Sequence, residues 1–249
     1  ISETIGFKTL EFDRDNGFKL NGESMKLKGV CMHMDQGALG GAVNYHAVYR
    51  QMKIMKEMGV NAIRVTHNPA PEALLKACDE LGLLVINEAF DHLYYYKNGN
   101  HNDFARWFNQ PIVNGPLGSE SCDTWAEYVA RQMVKSSRNH ASILMYSVGN
   151  ELLEGGGSDQ NYPAKIAEIC NWFHEEDPYH LPTIGDNKAK GNDTLAVAMC
   201  DEVAKAGGVV GFNYANRDQY INLRNAHPDW ILYGSETSSA FHSRDVYWT

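Results

Sequence analysis

Long apolar segments are absent from the sequence, so we do not expect these 249 residues to span a membrane. No run among the 249 residues approaches the roughly 20 apolar residues that a membrane-spanning helix needs, so no membrane partner is expected. A signal peptide, with its charged start and apolar core, is also missing, and residues 1–12 have the pattern of a strand. We therefore expect the chain to start inside a larger protein, and the sequence indicates no cellular compartment.

Positive charge is scarce relative to negative charge. The sequence has 22 Lys and Arg residues against 31 Asp and Glu residues, which gives a formal net charge of -9. Phosphate backbones and anionic lipid surfaces attract proteins with the opposite balance. The composition therefore argues against a nucleic acid or an anionic membrane as the partner.

Cysteine pairs with metal-ligand or redox spacing are absent as well. The five cysteines give an odd count, and none of them forms a C-x-x-C pair. Cys31 falls in a predicted strand, while Cys78 and Cys170 fall on predicted helix faces. We expect buried free thiols, because free cysteine behaves as a small apolar residue, and neither a structural zinc site nor a catalytic thiol.

The sequence does contain a regular alternation of short apolar strands and amphipathic helices. Residues 1–25 carry two turn signals, at 15–17 and 21–22, and predict a hairpin that leads into the main domain and closes the bottom of a barrel. The strands predicted after it are residues 26–32, 62–65, 83–87, 143–149, 183–185, 209–212 and 230–234. Helices are predicted between these strands.

This alternation predicts an α/β fold with a parallel sheet. Strands that each return through a helix to a parallel neighbour form a (β/α)8 TIM barrel, here as one domain over residues 1–249. Only thirteen residues follow Glu236, by subtraction, and residues 245–249 are a poor candidate for a further strand and helix. We therefore expect the barrel to be truncated before its eighth β/α unit.

Two of the later predicted strands end in a glutamate. The strand at 143–149 has apolar residues on both faces and runs directly into Asn150 and Glu151, while the strand at 230–234 is closely followed by Glu236. Active sites of barrels form at the C-terminal ends of the strands, and glycoside hydrolysis with retention requires a pair of carboxylates. The alternative is that each glutamate only caps the helix after it. Two such strand ends, one with an adjacent asparagine, favour catalysis.

Polar side chains follow the other predicted strands too. Arg64 lies within a strand, where a buried guanidinium needs a carboxylate partner, and we predict that this partner is Glu236. Tyr214 is predicted to donate a hydrogen bond to the same carboxylate. The full set at the strand ends is His33, Asp35, Arg64, His67, Asn68, Glu88, Asp91, His92, Asn150, Glu151, Asp186, Asn187, Asn213, Tyr214 and Glu236.

One connection, between Glu88 and Asp123, is unusually long and rich in aromatic residues. Long loops inside a compact domain are commonly functional or disordered, and the aromatic content favours order. We predict that residues 94–116 lie over the C-terminal face of the barrel. Two roles remain open for their rings, which either form a platform for a sugar or bury the loop on the barrel.

Several stretches together resemble the catalytic barrel of glycoside hydrolase family two, a group of β-galactosidases, β-glucuronidases and β-mannosidases. They are GFKTLEFDRDNGFKLNGESMKLKGV at 6–30, MHMDQGALG at 32–40, AIRVTHNPAP at 62–71, LGLLVINEAFD at 81–91, SRNHASILMYSVGNE at 137–151, GFNYA at 211–215 and YGSETSSA at 233–240. The resemblance covers nearly the whole chain. It implies that Glu151 is the acid/base and Glu236 the nucleophile of a double displacement through a glycosyl-enzyme intermediate.

The resemblance also implies a substrate and a binding site. Asn150 is expected to contact the sugar 2-hydroxyl, and the segments ALGGAVN and SETSSA look most like bacterial β-galactosidases that act on chain ends. The substrate is therefore expected to be a β-glycoside carbohydrate, with β-glucuronidase, β-mannosidase or an inactive, truncated carbohydrate-binding fragment as alternatives. Asp35 is included because it follows the first predicted strand together with His33. The expected substrate-binding residues are therefore His33, Asp35, Arg64, His67, Asn150 and Tyr214.

Two departures from the family pattern matter. Some members bind magnesium near the acid/base residue, but residues 87–92 do not align cleanly with that motif, so no metal or other cofactor is assigned, although family analogy allows magnesium or sodium. A metal-dependent hydrolase with His33, His67, Glu88 and His92 as ligands is a weaker alternative, because H-x-H and H-E-x-x-H spacings are missing. The eighth barrel unit and the β-sandwich domains that usually precede the barrel are also expected to be missing.

Overall fold

A computed structural model describes residues 5–97, 104–154 and 159–238. It begins with an antiparallel hairpin in which β1 (Leu10–Asp13) pairs with β2 (Gly17–Leu20), and β2 pairs with the short β3 (Glu23–Ser24). The Asp13 carboxylate accepts hydrogen bonds from the backbone N–H groups of Asp15 and Asn16, which stabilises the turn between β1 and β2. The predicted hairpin is therefore present, with a short third strand added.

The main sheet has seven parallel strands whose spatial order follows the chain. They are β4 (Gly29–Met32), β5 (Ala62–Val65), β6 (Leu84–Glu88), β7 (Ile143–Asn150), β8 (Leu181–Asp186), β9 (Val209–Asn213) and β10 (Ile231–Glu236). Every residue of β5, β6, β7 and β9 is buried. This burial is expected of parallel strands that are covered on both faces.

Helices connect the strands and cover the outer face of the sheet. They are α1 (Tyr45–Glu57), α2 (Glu72–Leu81), α3 (Ala105–Phe108), α4 (Trp125–Ser137), α5 (Tyr162–Glu176), α6 (Thr194–Lys205) and α7 (Arg217–Ala226). Four of them begin after a side chain that accepts a backbone N–H bond from the first turn, namely Asn44, Thr124, Asp193 and Asn216. Across the described ranges, no helix is both long and apolar enough to cross a membrane.

The sheet curls toward a barrel, and β4 and β10 are its edges within the described residues. The C-terminal ends of these two strands lie close together, as shown by the distance of 3.5 Å between Cys31 Sγ and the Ser235 carbonyl oxygen. The predicted TIM barrel architecture is therefore confirmed, and among the described residues it is open between its first and seventh strands. Residues 245–249, judged above as a poor eighth unit, lie outside the described residues.

The cysteines follow the prediction with one exception. Cys78, Cys122, Cys170 and Cys200 are buried free thiols. Cys31 is also free but is exposed, so the expectation of burial is wrong at this position. The reason is topological, since Cys31 lies on β4, which pairs with one strand within the part of the chain that the structure describes.

Two apolar clusters stabilise the fold. The larger one lies between the sheet and the helices and includes Val48, Tyr146 and Phe173. The smaller one lies at the N-terminal ends of the strands, where Phe18 of the hairpin packs with Met145. The hairpin therefore closes the bottom of the barrel, as predicted, and the polar strand ends lie at the opposite face.

Candidate active site

Glu236 ends strand β10, where the pairing with β9 is irregular between Gly234 and Glu236. Its Oε1 accepts a hydrogen bond from Arg64 Nη1 at 2.7 Å, and its Oε2 accepts one from the Tyr214 hydroxyl at 2.5 Å. Burial raises the pKa of Glu236, but the bonds from Tyr214 and Arg64 more than offset this, and the pKa lies below its ordinary value. Glu236 is therefore held as a carboxylate.

Arg64 lies on β5, is 3% exposed and joins three strand ends. Besides Glu236 it binds Glu88 on the adjacent strand β6, with Nη2 2.6 Å from Oε2. The same Nη2 donates to Asn150 Oδ1 at 3.0 Å. The predicted pair with Glu236 is present, and a second carboxylate shares the guanidinium, which helps to offset the cost of burying its charge.

Glu88 is the buried centre of this network, a role that was not assigned from the sequence. It accepts hydrogen bonds from Arg64, from His67 Nδ1 at 2.6 Å and from Ser147 Oγ at 2.7 Å. Burial raises the pKa of Glu88, but the charge of Arg64 and the bond from His67 hold it below its ordinary value. Its place at the end of β6 was the sequence signal for this residue.

Glu151 follows β7 at a sharp turn of the chain. Its φ is 45°, in the left-handed region that residues other than glycine seldom adopt. Its backbone N–H donates to the Gly185 carbonyl oxygen at 2.7 Å, and its Oε1 accepts a hydrogen bond from Asn213 Nδ2 at 2.8 Å. The turn therefore directs the carboxylate across the strand ends toward β9.

Asn213 and Tyr214 connect the two glutamates. Asn213 ends β9 and donates to both Asn150 Oδ1, at 2.9 Å, and Glu151 Oε1. Tyr214, the next residue, has a φ of 57° and donates to Glu236. Because consecutive residues each hold one glutamate, Glu151 and Glu236 face one cleft. Asn213 was recognised as a strand-end residue, but its bridging role depends on tertiary contacts.

Two histidines stand beside the nucleophile candidate. His67 Nε2 lies 3.3 Å from Asn150 Nδ2 and 4.0 Å from Glu236 Oε1. The ring of His33 meets that of His67 edge to face, with 5.2 Å between centroids. Burial and the nearby charge of His67 lower the pKa of His33. A neutral His33 has both a donor and an acceptor to offer a sugar hydroxyl.

Asp35 stands apart from this network. It is exposed, and its Oδ1 accepts the backbone N–H of Gly37 at 2.7 Å, which stabilises the turn before the short helix Gly37–Leu39. The hydrogen bonds described above join Arg64, His67, Asn150, Glu151, Tyr214 and Glu236, with His33 in ring contact, and they do not include Asp35.

The end of β8 contributes a turn and a cation. Asp186 accepts backbone N–H bonds from the turn after the strand, and burial raises its pKa. Lys190, in the same turn, donates to the Asn213 carbonyl oxygen and lies 5.4 Å from the centroid of the Tyr214 ring. Lys190 therefore places a positive charge at the rim of the cleft, which the sequence did not indicate because its partners lie on another strand.

The described parts of the long connection pack against the protein. The ring of Phe104 stacks on Phe90 with 5.9 Å between centroids, and Tyr94 meets Tyr162 edge to face at 5.0 Å. For these rings the contacts favour burial of the loop over a sugar platform. Residues 98–103 lie outside the described residues, so the course of the whole loop over the C-terminal face stays a prediction.

Among the described residues near Glu151, the geometry offers no ready set of ligands for a magnesium ion. Within the ranges that the structure describes, no three His, Cys, Asp or Glu side chains converge where they could hold one ion, including the set considered above. Asp91 follows β6 in the segment where some family members bind magnesium, and here it binds the Lys97 ammonium at 2.8 Å. A hard cation needs several free oxygen ligands, and this carboxylate is already paired.

Comparison with known proteins places the chain in a family. Residues 13–222 match the family model described as glycosyl hydrolases family 2, TIM barrel domain. The chain therefore belongs to this family of glycoside hydrolases.

Three relatives show how much of a longer protein the chain represents. A β-galactosidase of Bacteroides ovatus is 33% identical over 273 residues, which cover 98% of this chain and 29% of that protein. A solved family member from Bacteroides cellulosilyticus is 33% identical, with a TM-score of 0.77, over 93% of this chain and 26% of that one. Bacteroides uniformis β-glucuronidase 2, solved covalently bound to cyclophellitol-6-carboxylate aziridine, is 25% identical, with a TM-score of 0.67, over 92% of this chain and 26% of that one. The chain thus spans less than a third of each relative.

Proposed function

We propose that this domain hydrolyses β-glycosides by a retaining double displacement, with Glu236 as the nucleophile and Glu151 as the general acid/base. The observation that carries the proposal is the different hydrogen bonding of two carboxylates in one cleft. Glu236 is bound by the Arg64 guanidinium and the Tyr214 hydroxyl, whereas among the described residues the hydrogen bond to the Glu151 carboxylate comes from the neutral amide of Asn213. The first arrangement favours an anion, and the second is compatible with a proton donor.

The two carboxylates act in turn. A Glu236 oxygen attacks the anomeric carbon while the bond to the leaving oxygen breaks, and Glu151 gives that oxygen its proton. Glu151, now a carboxylate, then takes a proton from water, whose oxygen attacks the anomeric carbon and breaks the ester bond to Glu236. Both glutamates return to their starting states, and two inversions retain the anomeric configuration. This cycle assigns no step to a metal ion or other cofactor.

The surrounding side chains have supporting roles in the proposal. Arg64 and Tyr214 orient Glu236 and keep it ionised, because both donate directly to it. Asn150, His33 and His67 bind sugar hydroxyls, with Asn150 at the 2-hydroxyl. Arg64 and the fully buried Glu88 hold this set together from below, and Asp35 is left out because its carboxylate is engaged in a turn.

We infer that the substrate is a β-galactoside, cleaved from the end of a chain. The similarity to the Bacteroides ovatus β-galactosidase across 98% of this chain supports this choice. A β-glucuronide is the second candidate, supported by the Bacteroides uniformis β-glucuronidase and by Lys190, a rim cation that suits a carboxylate. β-Mannosides are a third candidate from the sequence resemblance.

A panel of aryl β-glycosides tests the proposal on the natural protein at full length. We expect the galactoside to have the highest kcat/KM, by at least about tenfold, which corresponds to about 1.4 kcal/mol of transition-state binding. Faster hydrolysis of the glucuronide or mannoside would overturn the galactoside assignment. No hydrolysis of any member, together with sugar binding in a calorimetric titration, would favour a carbohydrate-binding domain instead.

Covalent trapping tests the nucleophile directly. A relative is covalently bound to a cyclophellitol aziridine, so galacto-configured and 6-carboxylate aziridines should label this protein according to its sugar preference. Peptide mass spectrometry should place the label on Glu236, and Glu236→Gln should remain unlabelled. A label on Glu151 or on any other residue would overturn the assignment of the two roles.

A further inference from the structure

Lys97 is a nearly buried lysine whose ammonium contacts the backbone next to Glu151. Its side chain is 10% exposed, and Nζ lies 2.8 Å from Asp91 Oδ1 and 2.7 Å from the backbone carbonyl oxygen of Asn150. Burying an ammonium is costly unless it is paired, so both contacts contribute to keeping Lys97 in this position. Hydrogen bonds from a charged donor are stronger than those between neutral groups.

The carbonyl that Lys97 binds belongs to the peptide group between Asn150 and Glu151. The N–H of that same peptide group, on Glu151, donates to the Gly185 carbonyl oxygen at 2.7 Å. One peptide plane is therefore held at its oxygen by Lys97 and at its nitrogen by β8. This plane forms one side of the φ torsion of Glu151, which is 45°, and that torsion contributes to the direction of the carboxylate.

The side chain of Asn150 is tied to the same ion pair. Asn150 Nδ2 lies 3.4 Å from Asp91 Oδ1, the oxygen that also accepts from Lys97. Burial raises the pKa of Asp91, but His92 and Lys97 together hold it below its ordinary value. Asp91 is therefore an anion that contacts the ammonium and the amide at the end of β7.

We propose that Lys97 is a positioning residue that fixes the Asn150–Glu151 peptide and thereby aims the Glu151 carboxyl at the leaving oxygen. This inference rests on the proposed role of Glu151 as acid/base. Removing the ammonium leaves the Asn150 carbonyl without its charged donor and lets a sparsely populated backbone angle relax. The nucleophile, held by Arg64 and Tyr214, keeps its own partners.

The proposal predicts a kinetic signature that general destabilisation would not give. Proton donation matters most for leaving groups of high pKa, and a positioned acid contributes about 10²–10⁴-fold to such reactions. For Lys97→Met we expect kcat/KM to fall about 100-fold for a phenyl glycoside, because small misplacements cost about that much. For a 2,4-dinitrophenyl glycoside, which leaves without a proton, the fall should be less than about threefold, a difference under about 1 kcal/mol.

The experiment compares Lys97→Met with four further variants of the natural protein at full length, one of which is Glu151→Ala. Lys56→Met is the matched control, because Lys56 donates to the Gly82 carbonyl oxygen at 2.9 Å far from the cleft. Lys97→Arg should retain most of the activity on both substrates. Lys97→Ala makes room for an added amine, and propylammonium should restore its phenyl glycoside activity at least about tenfold, a gain of about 1.4 kcal/mol.

The outcomes separate this inference from the proposed function. Glu151→Ala must show the same dependence on the leaving group; if it does not, the acid/base assignment fails and the role of Lys97 fails with it. If Glu151→Ala shows the dependence while Lys97→Met loses activity equally on both substrates, the inference about Lys97 alone is overturned. Restoration of Lys97→Ala by propylammonium supports it even if Lys97→Met folds poorly.

Discussion

The two ends of the parallel sheet are built from opposite kinds of side chain. At the N-terminal ends, Phe18 of the hairpin packs with Leu144 and Met145 in an apolar cluster. At the C-terminal ends, Arg64 and Glu88 are buried as charged groups. Apolar burial stabilises a fold in proportion to its area, whereas buried ion pairs roughly balance their desolvation cost. The apolar end therefore supports a polar end that contributes little stability of its own.

Positive φ angles occur at both ends, but in the hairpin the angle of 53° falls on Asn21, a residue type that tolerates it. Glu151 and Tyr214, both immediately after a strand, have φ angles of 45° and 57°. Such conformations are costly, persist where the surrounding contacts enforce them and cluster at functional sites. We therefore expect substitutions at the N-terminal ends of the strands to change stability and leave the kinetics nearly unchanged. Substitutions at the C-terminal ends should change the kinetics.

The largest expected effect is at Glu236. Glu236→Gly removes the proposed nucleophile, and kcat should fall about 10⁴-fold or more, as for other enzymes that lose a nucleophile. Added azide should enter the vacated space and attack the anomeric carbon once, which yields the α-glycosyl azide. Product configuration is measured by NMR. Undiminished hydrolysis without azide would refute the nucleophile assignment.

Glu151→Ala is the counterpart that separates the two roles. Substrates with good leaving groups should still form the glycosyl-enzyme, and azide should then attack it from the other side and yield the β-glycosyl azide. If both variants gave the same azide anomer, the two glutamates would not have the distinct roles proposed for them.

The next effect, at Arg64, concerns stability as well as rate. Arg64→Met leaves Glu88 buried without the guanidinium that binds it at 2.6 Å. Breaking a buried ion pair by removing one partner costs about 3–5 kcal/mol, and denaturant unfolding should show a loss of that order. Lys53→Met is the control, because its pair with Glu57 is exposed and worth less than about 1 kcal/mol. Wild-type stability in Arg64→Met would show that the network is not a structural requirement.

At the opposite end, Phe18→Ala should reduce stability and spare the chemistry. Phe18 is 8% exposed, and deleting a buried phenylalanine costs about 3 kcal/mol or more. The kcat/KM of the folded fraction should stay within about twofold, since distant sites act nearly independently. Phe7→Ala is the matched control, because Phe7 is 91% exposed. A large kinetic effect in Phe18→Ala would mean that the two ends are coupled.

The sequence predicted the features that depend on local pattern. Strand periodicity located Glu151 and Glu236 at strand ends, and the turn signals located the hairpin that carries Phe18. A buried arginine on a strand required a carboxylate, and that reasoning led to the contact between Arg64 and Glu236.

The features that escaped the sequence depend on contacts between distant segments. Lys97 and Lys190 lie in connections after the strands, where no periodicity shows that they bind the backbone of Asn150 and Asn213. Cys31 is an exception, since the predicted truncation already leaves the first strand at an edge of the sheet, where burial is incomplete.

The smallest expected effect is at Asp35, which the strand-end rule places beside the other site residues. In the structure, the Asp35 carboxylate accepts a hydrogen bond from the Gly37 N–H in an exposed turn. Asp35→Ala should change the free energy of unfolding by no more than about 0.5 kcal/mol, as surface substitutions usually do, and kcat/KM by a comparably small factor.

His33→Ala, two residues earlier, removes a ring that touches His67 in the cleft. It should lower kcat/KM about fivefold, which corresponds to the loss of one hydrogen bond. If Asp35→Ala lowered kcat/KM as much as His33→Ala, with KM carrying the change, the binding surface would extend beyond the network of strand ends and Asp35 would contact the substrate.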